Sequence, residues 1–275
     1  MIRLLRGRHT VLAGACILVL LALAAVLAPF LSPYSPDQMR VSQRLLAPSA
    51  AHWFGTDEFG RDLFTRVVHG GRMSLGVGAA TVALASIGGI CLGVVAGFLP
   101  RLDAILSRVI DAMMAFPDIL LAIALVAVIR PPTVANVIIA LGIVYMPRIA
   151  RVVRGSTMVI RETAYIEAAR AIGLTTPRII LRHVLRNLVS PIAVQGSFVF
   201  AYAILAEAGL SFLGLGPSPE TPSWGTIVAS GQQYADRADW IILFPGLAIV
   251  LSVFALQMVG DGMRDLLDPR LRKDL

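Results

Sequence analysis

Lysine is almost missing from this chain. Of 24 basic residues in 275, only Lys273 is a lysine, and it stands near the end. A phosphate-binding P-loop sets a lysine directly behind a glycine-rich turn, so that arrangement is excluded. Cysteine is scarce too: Cys16 and Cys91 both lie inside apolar runs, which offers neither a disulfide framework nor a thiolate metal centre. The four histidines, His9, His52, His69 and His183, are far apart. No HExxH-type spacing or nucleophile elbow accompanies them, so a membrane enzyme is not expected. Charge is thin overall: 15% of residues are charged, against about 25% in an ordinary soluble domain.

What fills the space is apolar. Hydrophobic residues make up 57% of the chain and mean hydropathy is +0.78. A soluble fold with a fully buried sheet would struggle to hide so much, and the apolar runs approach the ~20 residues that span a bilayer. Six runs emerge, at 10–31, 74–99, 110–129, 133–153, 192–213 and 240–260. Pro100, the pair Pro131-Pro132 and the stretch Gly214-Leu215-Gly216-Pro217 mark turns between them. The third run is interrupted by Asp111 and Asp118. Arg3, Arg6 and Arg8 before the first run resemble a signal peptide. The run is long, however, and no small-x-small cleavage site leads into a soluble domain, so a retained helix is expected. The expectation is an all-α integral membrane protein of about six transmembrane helices.

Orientation follows from arginine. With the N-terminus inside, and with Arg148 and Arg151 at the inner end of the fourth run counted with the loop that follows, 17 of the 24 basic residues fall in cytoplasmic segments and 7 outside, which predicts both termini in the cytoplasm. The net charge of +7 then reflects this bias rather than nucleic-acid binding. Gly89, Gly93 and Gly97 stack on one face of the second span. Such a face lets helix backbones approach closely, within this subunit or against a partner. Pro147 in the fourth span removes a backbone hydrogen bond and can kink it. The outer segment 32–72 ends in Leu63, Phe64, Val67 and Val68 at helical spacing, which predicts a short amphipathic helix at the outer interface. Connector and docking surface are both open readings for it.

The longest cytoplasmic loop, 154–190, has structure of its own. Residues 163–172 are good helix formers and Gly173 breaks them. Thr175 or Thr176 can cap a second helix with Pro177 in its first turn. That helix sets Ile179, Ile180, Val184 and Leu188 on one side and Arg178, Arg182 and Arg186 on another. The product is a helix–Gly–helix elbow with small residues Ala168, Ala169 and Ala171 near its bend. Composition alone leaves a docking element and a surface-lying hairpin equally open.

The run Glu167-Ala168-Ala169-Arg170-Ala171-Ile172-Gly173 resembles the EAA signature of permease subunits in binding-protein-dependent ABC importers. Residues 52–78, with Gly55-Thr56-Asp57 and Gly60-Arg61-Asp62, resemble the second permease of dipeptide, oligopeptide and nickel importers. So do the blocks at 206–216, 222–225 and 260–270. The resemblance runs nearly end to end. It implies residues 1–72 as a first helix plus extracytoplasmic segment, 73–265 as a permease core of five helices, and 266–275 as a cytoplasmic tail. It also implies that Glu167, Ala168, Ala169 and Gly173 dock on a cytoplasmic ATPase. Many relatives carry proline where this chain has Arg186, so the second loop helix is expected to continue further here. No cofactor is expected in this chain; ATP and magnesium would sit on partners. Those partners would be a homologous second permease, two ATPase subunits and an extracytoplasmic solute-binding protein, in the bacterial inner membrane. Di- or oligopeptides are the first expectation for the solute, with nickel chelates, glutathione and glycosides carried by other relatives.

Two acids lie inside spans, Asp118 and Glu207. An ionisable group there faces protein or a wet cavity. Either could line the translocation path. Glu207 could equally hold a structural hydrogen bond, and Asp118, after Phe116-Pro117, could satisfy backbone freed by a kink. An ion-coupled secondary transporter is the rival class; it would show inverted repeats, and no internal repeat is found.

Overall fold

The computed structural model describes residues 2–129, 133–216 and 221–267. Pro131-Pro132, Pro217 and the tail from 268 onward, with Lys273, lie outside the described residues. The fold is helical, and no strand occurs among the described residues beyond one isolated bridge between Thr56 and Asp62. Among the described residues, five helices are long and apolar enough to cross a membrane, and a bent pair makes a sixth crossing if counted as one.

The first helix, α1 (Ile2–Val26), lies along the last, α11 (Trp240–Leu267). Gly14 permits this: a Cβ there would meet the Ala255 carbonyl at 2.6 Å. The free carbonyls at the end of α1 are capped from outside the helix. Arg72 donates from Nε to Ala25 O and from Nη2 to Val26 O, each at 2.6 Å. A short α2 (Ala28–Leu31) leads to an irregular cap segment, 32–62.

Two G-x-D turns shape that cap. Gly55 and Gly60 both adopt positive φ, +78° and +71°, where only glycine is free of strain. Asp57 accepts hydrogen bonds from the Phe59 and Arg61 amides, both at 2.9 Å, and from Arg61 Nε at 2.6 Å. Asp62 caps the next helix by accepting from Thr65 N at 2.8 Å, and its other oxygen holds His52 Nδ1 at 2.8 Å. Trp240 Nε1 donates to Thr56 O at 3.2 Å, fastening the cap to α11. Burial without full pairing raises the Glu58 carboxyl above its ordinary range. One of its oxygens, Oε2, is enclosed with no hydrogen-bond partner among the described residues.

Helix α3 (Leu63–Phe98) runs for 36 residues without a break. The short interfacial helix expected around Leu63–Val68 is therefore not a separate element. Leu63 and Val67 are buried as the first turns of a transmembrane-length helix, because Asp62 starts that helix well before the apolar run. α3 packs most closely on α6 (Val134–Arg161), and the glycine stripe is the contact. A Cβ on Gly89 would meet Ile149 Cβ at 2.8 Å, one on Gly93 the Ala150 carbonyl at 2.6 Å, and one on Gly97 Thr157 Cβ at 2.7 Å. The stripe thus serves packing within this chain. Pro147 lies buried inside an α6 that stays continuous as one 28-residue element.

The third run does not form one straight helix. It is split into α4 (Pro100–Met114) and α5 (Asp118–Val128), bent by 93°. The break falls at Ala115–Pro117, where a proline disfavours helical geometry in the residue before it. α4 is amphipathic, with Leu102, Ile105 and Val109 exposed and only Ile110 buried. After α6 come α7 (Ala164–Ala171) and α8 (Thr176–Ile179). The latter passes through a π-helical stretch, Ile180–Val184, into α9 (Leu185–Phe212). The second loop helix therefore continues directly into the fifth span, as its Arg186 suggests. α10 (Trp224–Gly231), opened by a Ser223 capping box, packs between α9 and α11.

Candidate functional site

The elbow forms at the end of α6. Thr163 begins α7, whose inward positions Ile166 and Ala169 are buried with Phe98, Val153, Ile179, Val184 and Leu188 in one apolar cluster. Gly173 stops the helix with φ +84°. Its amide donates to Arg170 O at 2.9 Å and the Leu174 amide to Ala169 O at 3.0 Å. This is a Schellman turn, which satisfies carbonyls the helix leaves free. Open space surrounds the place a Gly173 Cβ would take, so the demand for glycine here is conformational rather than steric.

The four expected contact residues divide by face. Glu167, Ala168 and Gly173 are exposed, together with Tyr165, Ile172 and Leu181. Ala169 is buried against its own chain, where it seats the elbow instead of facing outward. Further ties brace the stem. Arg161 Nη1 donates to Gly97 O at 2.9 Å at the end of α3, and the Arg170 guanidinium lies 5.4 Å from the Phe98 ring centre. Asn187 Nδ2 donates to the Tyr165 hydroxyl at 3.2 Å across the bend.

Glu207 is fully buried in α9. Three serine hydroxyls donate to its carboxylate: Ser223 at 2.8 Å, Ser211 at 2.9 Å and Ser74 at 3.2 Å. Ser74 Oγ in turn accepts from the Trp224 amide at 3.1 Å. One carboxylate thereby joins α3, α9 and the start of α10, and it reaches no surface of this chain.

Asp118 opens α5 and pairs with Arg148 on α6. It is the first rung of a ladder. Arg151 Nη2 meets Asp111 at 2.7 Å, and Arg154 holds both oxygens of Asp103, at 2.5 and 2.9 Å. Arg148, Arg151 and Arg154 recur every three residues along α6, so they share a face; Asp103 and Asp111 answer them from α4. The sequence reading missed this ladder because each pair bridges 30 to 51 residues. The available signal was the spacing of the aspartates, which repeats at about two helical turns. No group of His, Cys, Asp or Glu among the described residues is arranged to hold a metal.

The comparisons with known proteins agree with this architecture. The family described as binding-protein-dependent transport system inner membrane component matches residues 89–273, and the N-terminal transmembrane domain of oligopeptide transport permease C matches 1–48. A Brucella suis biovar 1 protein named for a peptide transport system permease is 50% identical over 98% of this chain and 91% of its own length. The dipeptide transport system permease protein DppC of Alkalihalophilus pseudofirmus is 45% identical over 98% of this chain and 88% of its own. Among solved structures, a chain of the MetNI methionine ABC transporter superposes with a TM-score of 0.61 at 20% identity, covering 74% of this chain and 96% of that one. At that identity the likeness speaks for the fold. An elbow of Glu-Ala-Ala-x-x-x-Gly type on a helical membrane core, with family matches along most of the length, leads to one conclusion: the chain belongs to the inner membrane components of binding-protein-dependent transport systems.

Proposed function

We propose that this chain is a permease subunit of an ATP-driven importer of di- or oligopeptides, set in a bacterial inner membrane with both termini and the elbow on the cytoplasmic side. It works with a homologous second permease, two ATPase subunits and an extracytoplasmic solute-binding protein. The carrying observation is the elbow. Its outer face presents Glu167 and Ala168 beside exposed Tyr165, Ile172 and Leu181, while Ile166 and Ala169 anchor it on the core. Small residues leave room for the elbow to enter a groove on an ATPase, and the exposed apolar side chains supply buried area on docking. Closure of the ATPase pair then moves α6 and α9, the two long helices that flank the bend, and alternates access to a path between the permeases. No bond in the solute is broken. The peptide reading is supported by the names of relatives 50% and 45% identical to this chain.

Co-purification tests the coupling role. Glu167→Lys, and Gly173→Asp, which forces a side chain into positive φ, are expected to lower ATPase retention and uptake together while leaving the permease in the membrane. Full ATPase binding and uptake in both variants would refute it. Uptake of a labelled dipeptide, dependent on the binding protein, tests the solute; uptake of a nickel chelate but no peptide would assign the transporter elsewhere. A reporter fused after Leu275 is expected to be active only inside.

A further inference from the structure

We infer that Arg148 and Asp118, with Tyr145 and Tyr202, form a station on the translocation path that receives the charged termini of a peptide in transit. This rests on the peptide reading above. Arg148 stands 14 residues into α6, about 21 Å along its axis, so the pair lies within the span rather than in the cytoplasmic loop with which the arginine count grouped it. The pair is not sealed: the side chains are 30% and 31% exposed in this chain. A charged pair open to hydrocarbon is costly, whereas one open to a water-filled cavity is not. In a subunit that pairs with a second permease, the cavity available at that depth is the path between them.

The chemistry on this face suits a zwitterion. Arg148 engages Asp118 through Nη2 alone, and its Nε is enclosed with no hydrogen-bond partner among the described residues. That N–H is out of a solute's reach, but the 30% of the side chain that is exposed lets a peptide carboxylate compete with Asp118 for the guanidinium. The Arg148 guanidinium carbon lies 4.9 Å from the Tyr202 ring centre and 5.8 Å from that of Tyr145. Tyr202 is 41% exposed, and the Tyr145 hydroxyl donates to its backbone carbonyl at 3.3 Å, fixing one ring beside the other. The open aromatic face can accept a peptide ammonium or an apolar side chain, while Asp118 offers the ammonium a carboxylate. Each terminus exchanges one partner of an existing ion pair, so binding stays shallow. Shallow binding lets a solute leave as readily as it enters. A second pair, Arg151–Asp111, lies one helical turn further toward the elbow and is more exposed, 51% and 66%.

The assembled transporter in proteoliposomes tests this in two ways. Cys16 and Cys91 are both exposed and would first be replaced by serine. Tyr202→Cys is then expected to react with a membrane-impermeant thiol reagent much faster than Leu20→Cys on α1, and more slowly during peptide turnover. In the second arm, uptake by each variant is divided by wild-type uptake of the same peptide, which cancels the binding protein's own preference. Arg148→Gln is expected to lower uptake of a free dipeptide about tenfold, as loss of a charged hydrogen bond allows, and to lower uptake of its C-terminal amide less. Asp118→Asn should show the converse preference toward an N-acetylated peptide. Labelling of Tyr202→Cys no faster than Leu20→Cys, or equal losses for free and blocked peptides, would overturn the inference. Fast labelling of Tyr202→Cys, together with no peptide uptake by the wild-type transporter, would instead overturn the peptide reading and, with it, the assignment of the station's ligand.

Discussion

Replacing Gly93 with alanine adds one methyl group where α3 meets α6. The new carbon would lie 2.6 Å from the Ala150 carbonyl oxygen and 2.7 Å from both Cβ and Cγ1 of Val153. Non-bonded carbons settle at about 3.5–4.0 Å, so the helices must separate by about 1 Å. The atoms in the way are a backbone oxygen and a β-carbon, neither of which can rotate aside. Overpacking of this kind costs about 1–3 kcal/mol, against a helix-propensity gain of about 1 kcal/mol for glycine to alanine. The two nearly cancel if the helices yield easily, so an internal control is needed. Gly76, on the same helix, has nothing within 4 Å of its would-be Cβ, and Gly76→Ala keeps the propensity gain alone. The expected result is that Gly93→Ala melts below Gly76→Ala in detergent by several degrees, with a further drop for Gly93→Leu. Equal melting temperatures for the two alanine variants would refute the claim that the stripe is a close helix contact within the chain.

Two more predictions concern buried acids. Glu207→Gln replaces one acceptor oxygen with an amide donor, so at least one serine hydroxyl loses its partner, at about 1–3 kcal/mol. The transporter should melt earlier while uptake per assembled complex stays unchanged, and lost uptake at full assembly would restore a path-lining role for Glu207. Glu58 gives a pH dependence. Its carboxyl is raised chiefly by burial, so the folded cap holds the proton more tightly than the unfolded chain does. Stability from this group is present at low pH and is lost as pH climbs from the ordinary glutamate range through the raised value. Glu58→Gln should flatten that slope and raise the melting temperature at neutral pH, and an unchanged slope would show that Glu58 does not cause it.

The apolar runs were readable because lipid leaves a helix no choice but to be uniformly greasy, and five of six emerge as single membrane-length helices. The elbow was readable for a different reason. Its alanine-rich helix, Gly173 and the Thr-Pro start of α8 are local signals, and local signals decide local turns. The third run misled because its composition is apolar enough to span while its direction is set by one dipeptide, Phe116-Pro117. The start of α3 misled because hydropathy finds where a helix enters lipid, whereas Asp62 decides where it begins. The partners of Glu207, Asp118 and Arg154 were out of reach, since Ser74 and Glu207 are 133 residues apart and meet only after the bundle closes.

The helix leading from the elbow has a mechanical consequence. From Thr176 to Phe212 it runs 37 residues, about 55 Å. Such a rod multiplies angle into travel: a tilt of about 5° at one end sweeps the other through roughly 5 Å over that length. Its stiffness is not uniform. The π-helical stretch Ile180–Val184 and Pro191 both interrupt regular hydrogen bonding near the elbow end, while the far end is pinned through Glu207 to α3 and α10. The rod is therefore compliant near the elbow and clamped at its far end. Under the coupling role proposed above, a stroke at Gly173 would reach the clamp as a turn of α3, α9 and α10 together, because Glu207 ties the three.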